Sequence, residues 1–248
     1  MRGTVCRRIR RRIAELGLSD IADYAAYLET HPEEWERLDA FCRIPISRFW
    51  RDRGVFETLA GHCLPDLAAR IMDTEGAAPL KVWSAGCASG EEVYTLSILW
   101  KMRLAARFPD IAFSVVGTDV DPTMIDRAER ACYQSSSLKE VPRDCREAAF
   151  RRHDDEFCVT ADYRQDVAFR RQDIRREMPA GPFHLILCRN VIFTYFAPAL
   201  QEELLPKLVE HLAAGGYLVI GAHERLPAGT AGLTPWGSGV PIYRKPEA

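Results

Sequence analysis

The chain has 248 residues, 47% hydrophobic and 27% charged, with 33 Lys and Arg against 35 Asp and Glu. That suffices to bury the core of one full α/β domain with a smaller piece attached. The near-balanced charge argues against a general polyanion binder, and the sequence holds no run of about 18 apolar residues to span a membrane.

Charge is nonetheless uneven along the chain. Arg2, Arg7, Arg8, Arg10, Arg11 and Arg12 crowd the start, while Val5, Ile9 and Ile13 stand four apart among them. This predicts an amphipathic helix with basic faces. Such a helix is either a solvated face or a surface for an acidic partner, and it lacks the aromatic-basic interleave of a nucleic-acid binder. The start also lacks the apolar segment of a signal peptide, so a cytoplasmic monomer without membrane insertion is expected. The eight cysteines (Cys6, Cys42, Cys63, Cys87, Cys132, Cys145, Cys158, Cys188) stand singly. With no Cys-x-x-Cys pair and no zinc spacing, they read as reduced core thiols, and no metal is expected.

From Cys6 to about Leu67 apolar residues recur three and four apart, with Ser19-Asp20 as a helix start, which predicts a helical domain over 1–70. After the junction "MDTEGAAPL", residues 71–248 alternate: strand 81–84, helix 91–107, strand 113–117, helix 122–131. The alternation breaks between 132 and 173, where "EFCVTADY" and "DVAFRRQDI" predict a hairpin-like β insertion. It resumes with strand "FHLILCRN", a helix near 200–212, a Gly215-Gly216 turn, strand "YLVIGAHE" and a last strand "VPIYRK". The expected fold is α/β, with a mostly parallel sheet ending in an antiparallel strand.

The stretch "VWSAGCASGEEVY" runs from a strand through a Gly-interrupted turn into a helix, the place where doubly wound folds bind ligands. It is neither a P-loop nor G-x-G-x-x-G. Glu91 and Glu92 stand where phosphates would lie, and carboxylates there suit hydroxyls, an ammonium or a sulfonium better than a pyrophosphate. Both are also ordinary N-terminal helix charges. Asp119 ends the second strand, where an acid can accept ribose hydroxyls, because Asp121 before Pro122 supplies the next helix cap. Asp173 ends a further strand, where a carboxylate could take an adenine amino group. Ribose, adenine and no phosphate point to S-adenosylmethionine, with NAD as the competing ligand.

At "FCRIPISRFWRD", "VWSAGCASGEEVYTLS", "GTDVD" and "LCRNVIFTYF", in that order, the chain resembles the CheR-type chemotaxis receptor methyltransferases over nearly its whole length. These transfer a methyl group from S-adenosylmethionine to receptor glutamates, leaving S-adenosylhomocysteine. The resemblance implies a Rossmann-like class I methyltransferase domain with a small β insertion, preceded by a small helical domain. By motif position it makes Arg51 the active-site arginine of T-x-F-F-R and puts Ser47 at the family's Thr. Ala85, Gly86 and Glu91 match donor contacts in the Gly turn, Asp119 the ribose ligand, and Asp173 with Ile174 the Asn-Leu near the adenine. Arg189 and Asn190 match C-R-N-V, and Tyr195 the active-site tyrosine.

The chain departs from the family at Pro45, which replaces an Asn, at "NVIFTYF", one residue longer, and at "GAHE" in place of G-H-S-E. The N-terminus is also shorter. These departures bear on the acceptor more than on the reaction. An ionised carboxylate acceptor needs no general base, only alignment and desolvation, and Arg51 would pin a carboxylate while Arg189, Asn190 and Tyr195 line the acceptor side. Alternatives for these residues are an ion pair for Arg189 and plain packing for Tyr195. A neutral acceptor would need a base, for which His184 and His223 are the nearby candidates. The acceptor is read as glutamate on an acidic helical protein; a small molecule or peptide is the first alternative, and a non-catalytic sensor of the cofactor the second.

Overall fold

The computed structural model describes all residues except Met1, 43–46, 74–77, 228–231, 238 and 248, and only the backbone of Arg2, Thr4 and Cys42. Pro45 and the centre of the expected junction therefore lie outside the described residues. The chain forms two compact units, 1–46 and 47–248. The boundary thus falls well before 70, because the helices that follow residue 47 pack into the core of the sheet domain rather than with the first three.

In the first unit α1 (Arg2–Glu15), α2 (Ile21–Thr30) and α3 (Pro32–Cys42) surround Ile13, Tyr24 and Leu28, with Ile9, Leu16, Leu18 and Leu38 against them. Asp20 caps α2 by accepting from the amides of Ala22 and Asp23. Arg7, Arg10 and Arg11 remain exposed, as the amphipathic pattern predicts. Arg12 instead turns inward, donating Nε and Nη2 to the two oxygens of Glu34, each at 2.8 Å.

In the second unit α4 (Arg53–Thr58) passes through a single π-type turn into α5 (Leu64–Met72). Then follow β1 (Leu80–Ala85), α6 (Glu91–Leu99), β2 (Phe113–Asp119) and α7 (Pro122–Arg130). The helix expected to reach 107 is regular only to Leu99 and ends in a π-type turn at Trp100–Leu104. Next come β3 (Cys132–Gln134), α8 (Arg143–Ala149), β4 (Phe150–His153), β5 (Glu156–Val159), β6 (Val167–Arg171) and β7 (Phe183–Cys188). The chain closes with α9 (Ile192–Tyr195), α10 (Pro198–Glu210), β8 (Leu212–Ile220), β9 (Thr234–Pro235) and β10 (Ile242–Arg244).

The main sheet has the order β6-β2-β1-β7-β8-β10-β9. Its first five strands are parallel, and β10 and β9 are antiparallel. The chain starts in the middle, winds outward through β2 to β6, then returns to β7 on the other side of β1. That reversal opens a crevice at the carboxyl ends of β1 and β7. Of the expected insertion only β3, β5 and β4 form a separate small sheet, ending at Val159. The stretch "DVAFRRQDI" is β6, an edge strand of the main sheet parallel to β2. Its half-polar look reflects one neighbouring strand and an open side, not a hairpin.

Two more expectations change. Cys132 and Cys158 face each other across the β3–β5 pair and are joined in a disulfide, whereas Cys63, Cys87, Cys145 and Cys188 are buried free thiols. Sequence spacing could not bring 132 and 158 together; the antiparallel register does. Gly215 and Gly216 lie inside β8 as an irregularity in its pairing with β7, because Gly215 adopts φ +68° and a Cβ on Gly216 would meet two carbonyls at 2.9 Å.

The buried Glu34 gives the first unit a pH dependence. The hydrogen bonds from Arg12, opposed by burial and assisted by Tyr24, hold its carboxyl below the usual range. A carboxylate with a depressed folded pKa adds stability that is complete above its unfolded pKa and lost as pH falls through the folded one. Amide hydrogen exchange over α1–α3 of the full chain is expected to quicken below the ordinary carboxylate range, and Glu34→Gln to flatten that dependence. An unaltered pH profile in the variant would remove this pair as the cause.

Candidate active site

The crevice is built from the backbone outward. Beyond β1 the amides of Gly86 and Cys87 both donate to the carbonyl of Thr118, at 2.7 and 2.9 Å, folding the turn over the end of β2. Gly86, Ala88 and Gly90 take φ of +71°, +47° and +87°. At Gly86 a Cβ would lie 2.2 Å from Val191 Cγ2, so the approach of the turn to the loop after β7 requires glycine.

Asp119 joins this turn to the neighbouring strand. One of its oxygens accepts the Ala88 amide at 2.9 Å and the other the Asp121 amide at 3.0 Å. Asp121 caps α7 through the Thr123 amide, the role its place before Pro122 predicts. The carboxylate of Asp119 thus stands at the carboxyl end of β2 beside the Gly turn. The amide of Gln172, just past β6, donates to the Asp119 carbonyl and draws Asp173 and Ile174 to the same edge.

The two glutamates of the turn part ways. Glu91 is 2% exposed and turned inward, accepting Ser89 Oγ at 2.9 Å, with the Ser47 hydroxyl as a second partner. Burial pushes its carboxyl up, against the pull of these hydrogen bonds. It is a buried post under the turn and not a charge at its mouth, and Ser47 is its support. Glu92, omitted from the expected contacts, accepts Ser84 Oγ through Oε1 and Arg189 Nη1 through Oε2, each at 2.8 Å.

Arg189 is the largest departure from the reading of the sequence. Its side chain is 3% exposed, and its other terminal nitrogen donates to the Arg51 carbonyl at 2.9 Å and to Asp52 Oδ2 at 2.6 Å. The guanidinium carbon also stands 5.3 Å from the Phe56 ring centroid. With its terminal nitrogens committed to the protein, it does not line the acceptor side; the ion-pair alternative describes it.

Arg51 is half-buried on a tight turn whose flanking residues, Trp50 and Asp52, have φ of +55° and +61°. Two non-glycine residues in the left-handed region, one on each side of Arg51, mark a segment held against its local preference. The turn rests on α6 through the Trp50 amide to Thr95 Oγ1 and on the segment before α8 through the Phe49 amide to the Ser137 carbonyl.

Asp173 is also paired. Both its oxygens accept from Arg175, at distances down to 2.7 Å, and this hydrogen bonding holds its carboxyl below the usual range. Arg175 thus orients the Asp173 carboxylate, which keeps lone pairs for an adenine amino group, and Ile174, packed against the core, is the apolar wall there. Ala85 is buried and its methyl belongs to the core, so only its backbone can meet a ligand.

On the far side of the crevice Asn190 adopts φ +58°. Glu224 holds it there, accepting the Asn190 amide at 2.9 Å, the Gly221 amide at 2.6 Å and Thr194 Oγ1 at 2.5 Å. Thr194, the residue that lengthens "NVIFTYF", is thus tied down, and Tyr195 stands 45% exposed at the end of α9 while Phe193 and Phe196 pack inward. The packing alternative for Tyr195 fails. His184 accepts the Lys81 amide near the opposite end of the sheet, and burial depresses its imidazole; His223 is exposed beyond β8. Among the described residues no three His, Cys, Asp or Glu side chains gather to hold a metal.

Asp52 and Glu224 are given no role by the sequence, and Glu92 and Thr194 are given no partner by it. The available signal is charge in apolar surroundings: Asp52 after the aromatic pair of "SRFWRD" and the Glu of "GAHE" beside a buried strand each call for a partner elsewhere. Gly86→Ala is expected to destabilise the fold by about 1–3 kcal/mol through left-handed strain, with further cost from the Val191 clash. Urea denaturation measures it, and a loss within about 0.5 kcal/mol would show that the turn can move aside.

Residues 46–236 match the family described as the CheR methyltransferase, SAM binding domain, and residues 2–38 the CheR methyltransferase, all-alpha domain. A chemotaxis protein methyltransferase of Listeria monocytogenes is 34% identical over 183 residues, 74% of this chain and 66% of that one. A probable chemotaxis protein methyltransferase of Rhizobium etli is 27% identical over 96% of this chain and 89% of its own. An uncharacterized 104.1 kDa protein of Rhodobacter capsulatus is 32% identical over 90% of this chain, which spans 23% of that larger protein. A TehB-like SAM-dependent methyltransferase from Corynebacterium glutamicum, among solved structures, has 19% identity and a TM-score of 0.39 over 89% of this chain and 97% of its own. With both family domains matched in order and the Gly turn, Asp119 and the Arg51 turn assembled at the sheet's switch point, this chain belongs to the CheR methyltransferase family.

Proposed function

We propose that the protein is an S-adenosylmethionine-dependent O-methyltransferase whose acceptor is a carboxylate, foremost a glutamate side chain on an acidic, helical, chemoreceptor-like protein. One observation carries the reading: Asp119 and the bare turn at Gly86–Ala88 are hydrogen-bonded to each other at the carboxyl ends of adjacent parallel strands. The residues fit the group. An acid at this place accepts ribose hydroxyls, Ile174 offers an apolar wall to a base, and the carboxylate of Asp119 beside the turn disfavours a pyrophosphate. The bound cofactor supplies an electrophilic methyl on a sulfonium.

The chain's own residues then bind and align. Asp119 takes the ribose, and the half-buried Arg51 holds a carboxylate by charge-assisted hydrogen bonds. Tyr195 and Asn190 border the acceptor side. No residue here is placed as a strong base, which suits an acceptor already ionised at neutral pH. The exposed arginines of α1 offer an acidic helix a complementary face. Among the described residues no helix is long and apolar enough to cross a membrane. We place the protein in the cytoplasm; the Cys132–Cys158 bridge is unusual for that compartment.

A second acceptor class, a small molecule or peptide, is favoured by Thr194, whose bond to Glu224 reshapes the segment carrying Tyr195. A sensor without turnover is the third reading, and any methyl transfer excludes it.

Three measurements test this. The full chain, incubated with methyl-labelled cofactor and a purified Glu-rich chemoreceptor fragment, should yield label released by mild base, as an ester is; base-stable label would point to nitrogen or phenol acceptors. Arg51→Ala should abolish transfer with an unchanged circular dichroism spectrum, and full activity would remove its role. Calorimetry should show Asp119→Ala weakening cofactor binding by about 1.5–3 kcal/mol, the range of a charged hydrogen bond; unchanged affinity would put the ribose elsewhere.

A further inference from the structure

We propose that Arg189 is a positioning residue that sets the backbone of Arg51 and couples it to the Gly turn; this rests on the function proposed above, with the donor's own carboxylate as the one that Arg51 holds. Arg189 follows β7 directly, and its guanidinium reaches two other parts of the chain. One is Glu92 in the first turn of α6, at 2.8 Å. The other is the turn bearing Arg51, through the Arg51 carbonyl at 2.9 Å and Asp52 Oδ2 at 2.6 Å.

The Arg51 turn needs such a hold. Its two flanking residues are left-handed without being glycine, a conformation that persists only where the surroundings over-determine it. On one side the fully buried Trp50 supplies the anchor, with its amide on Thr95 Oγ1. On the other side Asp52 is 37% exposed and its carboxylate is held by Arg189. The same cation reaches Glu92, whose second oxygen takes Ser84 Oγ at the end of β1. A shift of Arg51 is thereby transmitted to the strand end and helix start that frame the Gly turn. Lysine would not serve, since a point charge cannot meet these acceptors in the planar geometry of the guanidinium fork.

Coupling separates positioning from plain stability. Affinities for S-adenosylmethionine and S-adenosylhomocysteine are to be measured by calorimetry on the full chain carrying Asp52→Ala, Arg51→Ala, both, or neither, with Asp52→Asn as the milder variant that keeps an acceptor oxygen. Asp52→Ala alone should weaken binding on the order of tenfold, and Asp52→Asn less. In the Arg51→Ala background Asp52→Ala should add almost nothing, because the residue it positions is gone. Equal losses in both backgrounds, or wild-type affinity in Asp52→Ala, would overturn the proposal while leaving the cofactor reading intact. Absence of binding in the unsubstituted protein would overturn both, and wild-type affinity in Arg51→Ala would overturn the proposal together with the role of Arg51 while the cofactor reading stands.

Discussion

A guanidinium with almost no solvent contact is tolerable only where carboxylates and carbonyls replace its water, and Glu92, Asp52 and the Arg51 carbonyl do so at the two terminal nitrogens of Arg189, while its Nε is buried without a hydrogen bond among the described residues. These partners come from α6 and from the turn ahead of α4, so one buried charge fixes where the end of β7, the start of α6 and the Arg51 turn meet. Losing one partner would leave a charge stranded at low dielectric. The rest of the crevice is assembled around that junction.

The Gly turn shows the same economy of backbone. It closes on the Thr118 carbonyl, leans on Asp119, and tolerates no side chain at Gly86 because Val191 fills the space. The small sheet contributes from below: Tyr133 Oη donates to the Ser89 carbonyl at 2.7 Å, and Phe49 meets both Tyr133 and Phe150 edge to face. The insertion therefore supports the turn and the Arg51 segment together, and the disulfide between β3 and β5 closes the sheet that does this.

On the acceptor side Glu224 performs for Asn190 and Thr194 what Arg189 performs for Arg51. Its carboxylate collects three donors, from the loop after β7, from α9 and from the end of β8, and the contact is close enough that a Cβ on Gly221 would lie 2.5 Å from Asn190 Nδ2. Relative to the family pattern, the longer "NVIFTYF" segment is secured by a hydrogen bond of its own and leaves Tyr195 exposed at the crevice.

The sequence by itself determined the elements whose causes are local. The period of apolar residues placed α1, α2 and the central strands; Asp20 and Asp121 marked helix starts; the glycines of "SAGCASG" announced a turn, and Asp119 its neighbour. Tertiary structure decided what depends on residues far apart in the chain. Whether Arg189 meets a ligand or a carboxylate rests on Asp52 and Glu92, 137 and 97 residues away. Which face Glu91 takes depends on burial, the Cys132–Cys158 bridge on strand register, and the place of β6 on its having a single neighbour. Local pattern carries conformational preference, but pairing of charges and of strands is a property of the folded chain, because only there do the partners share a dielectric and a surface.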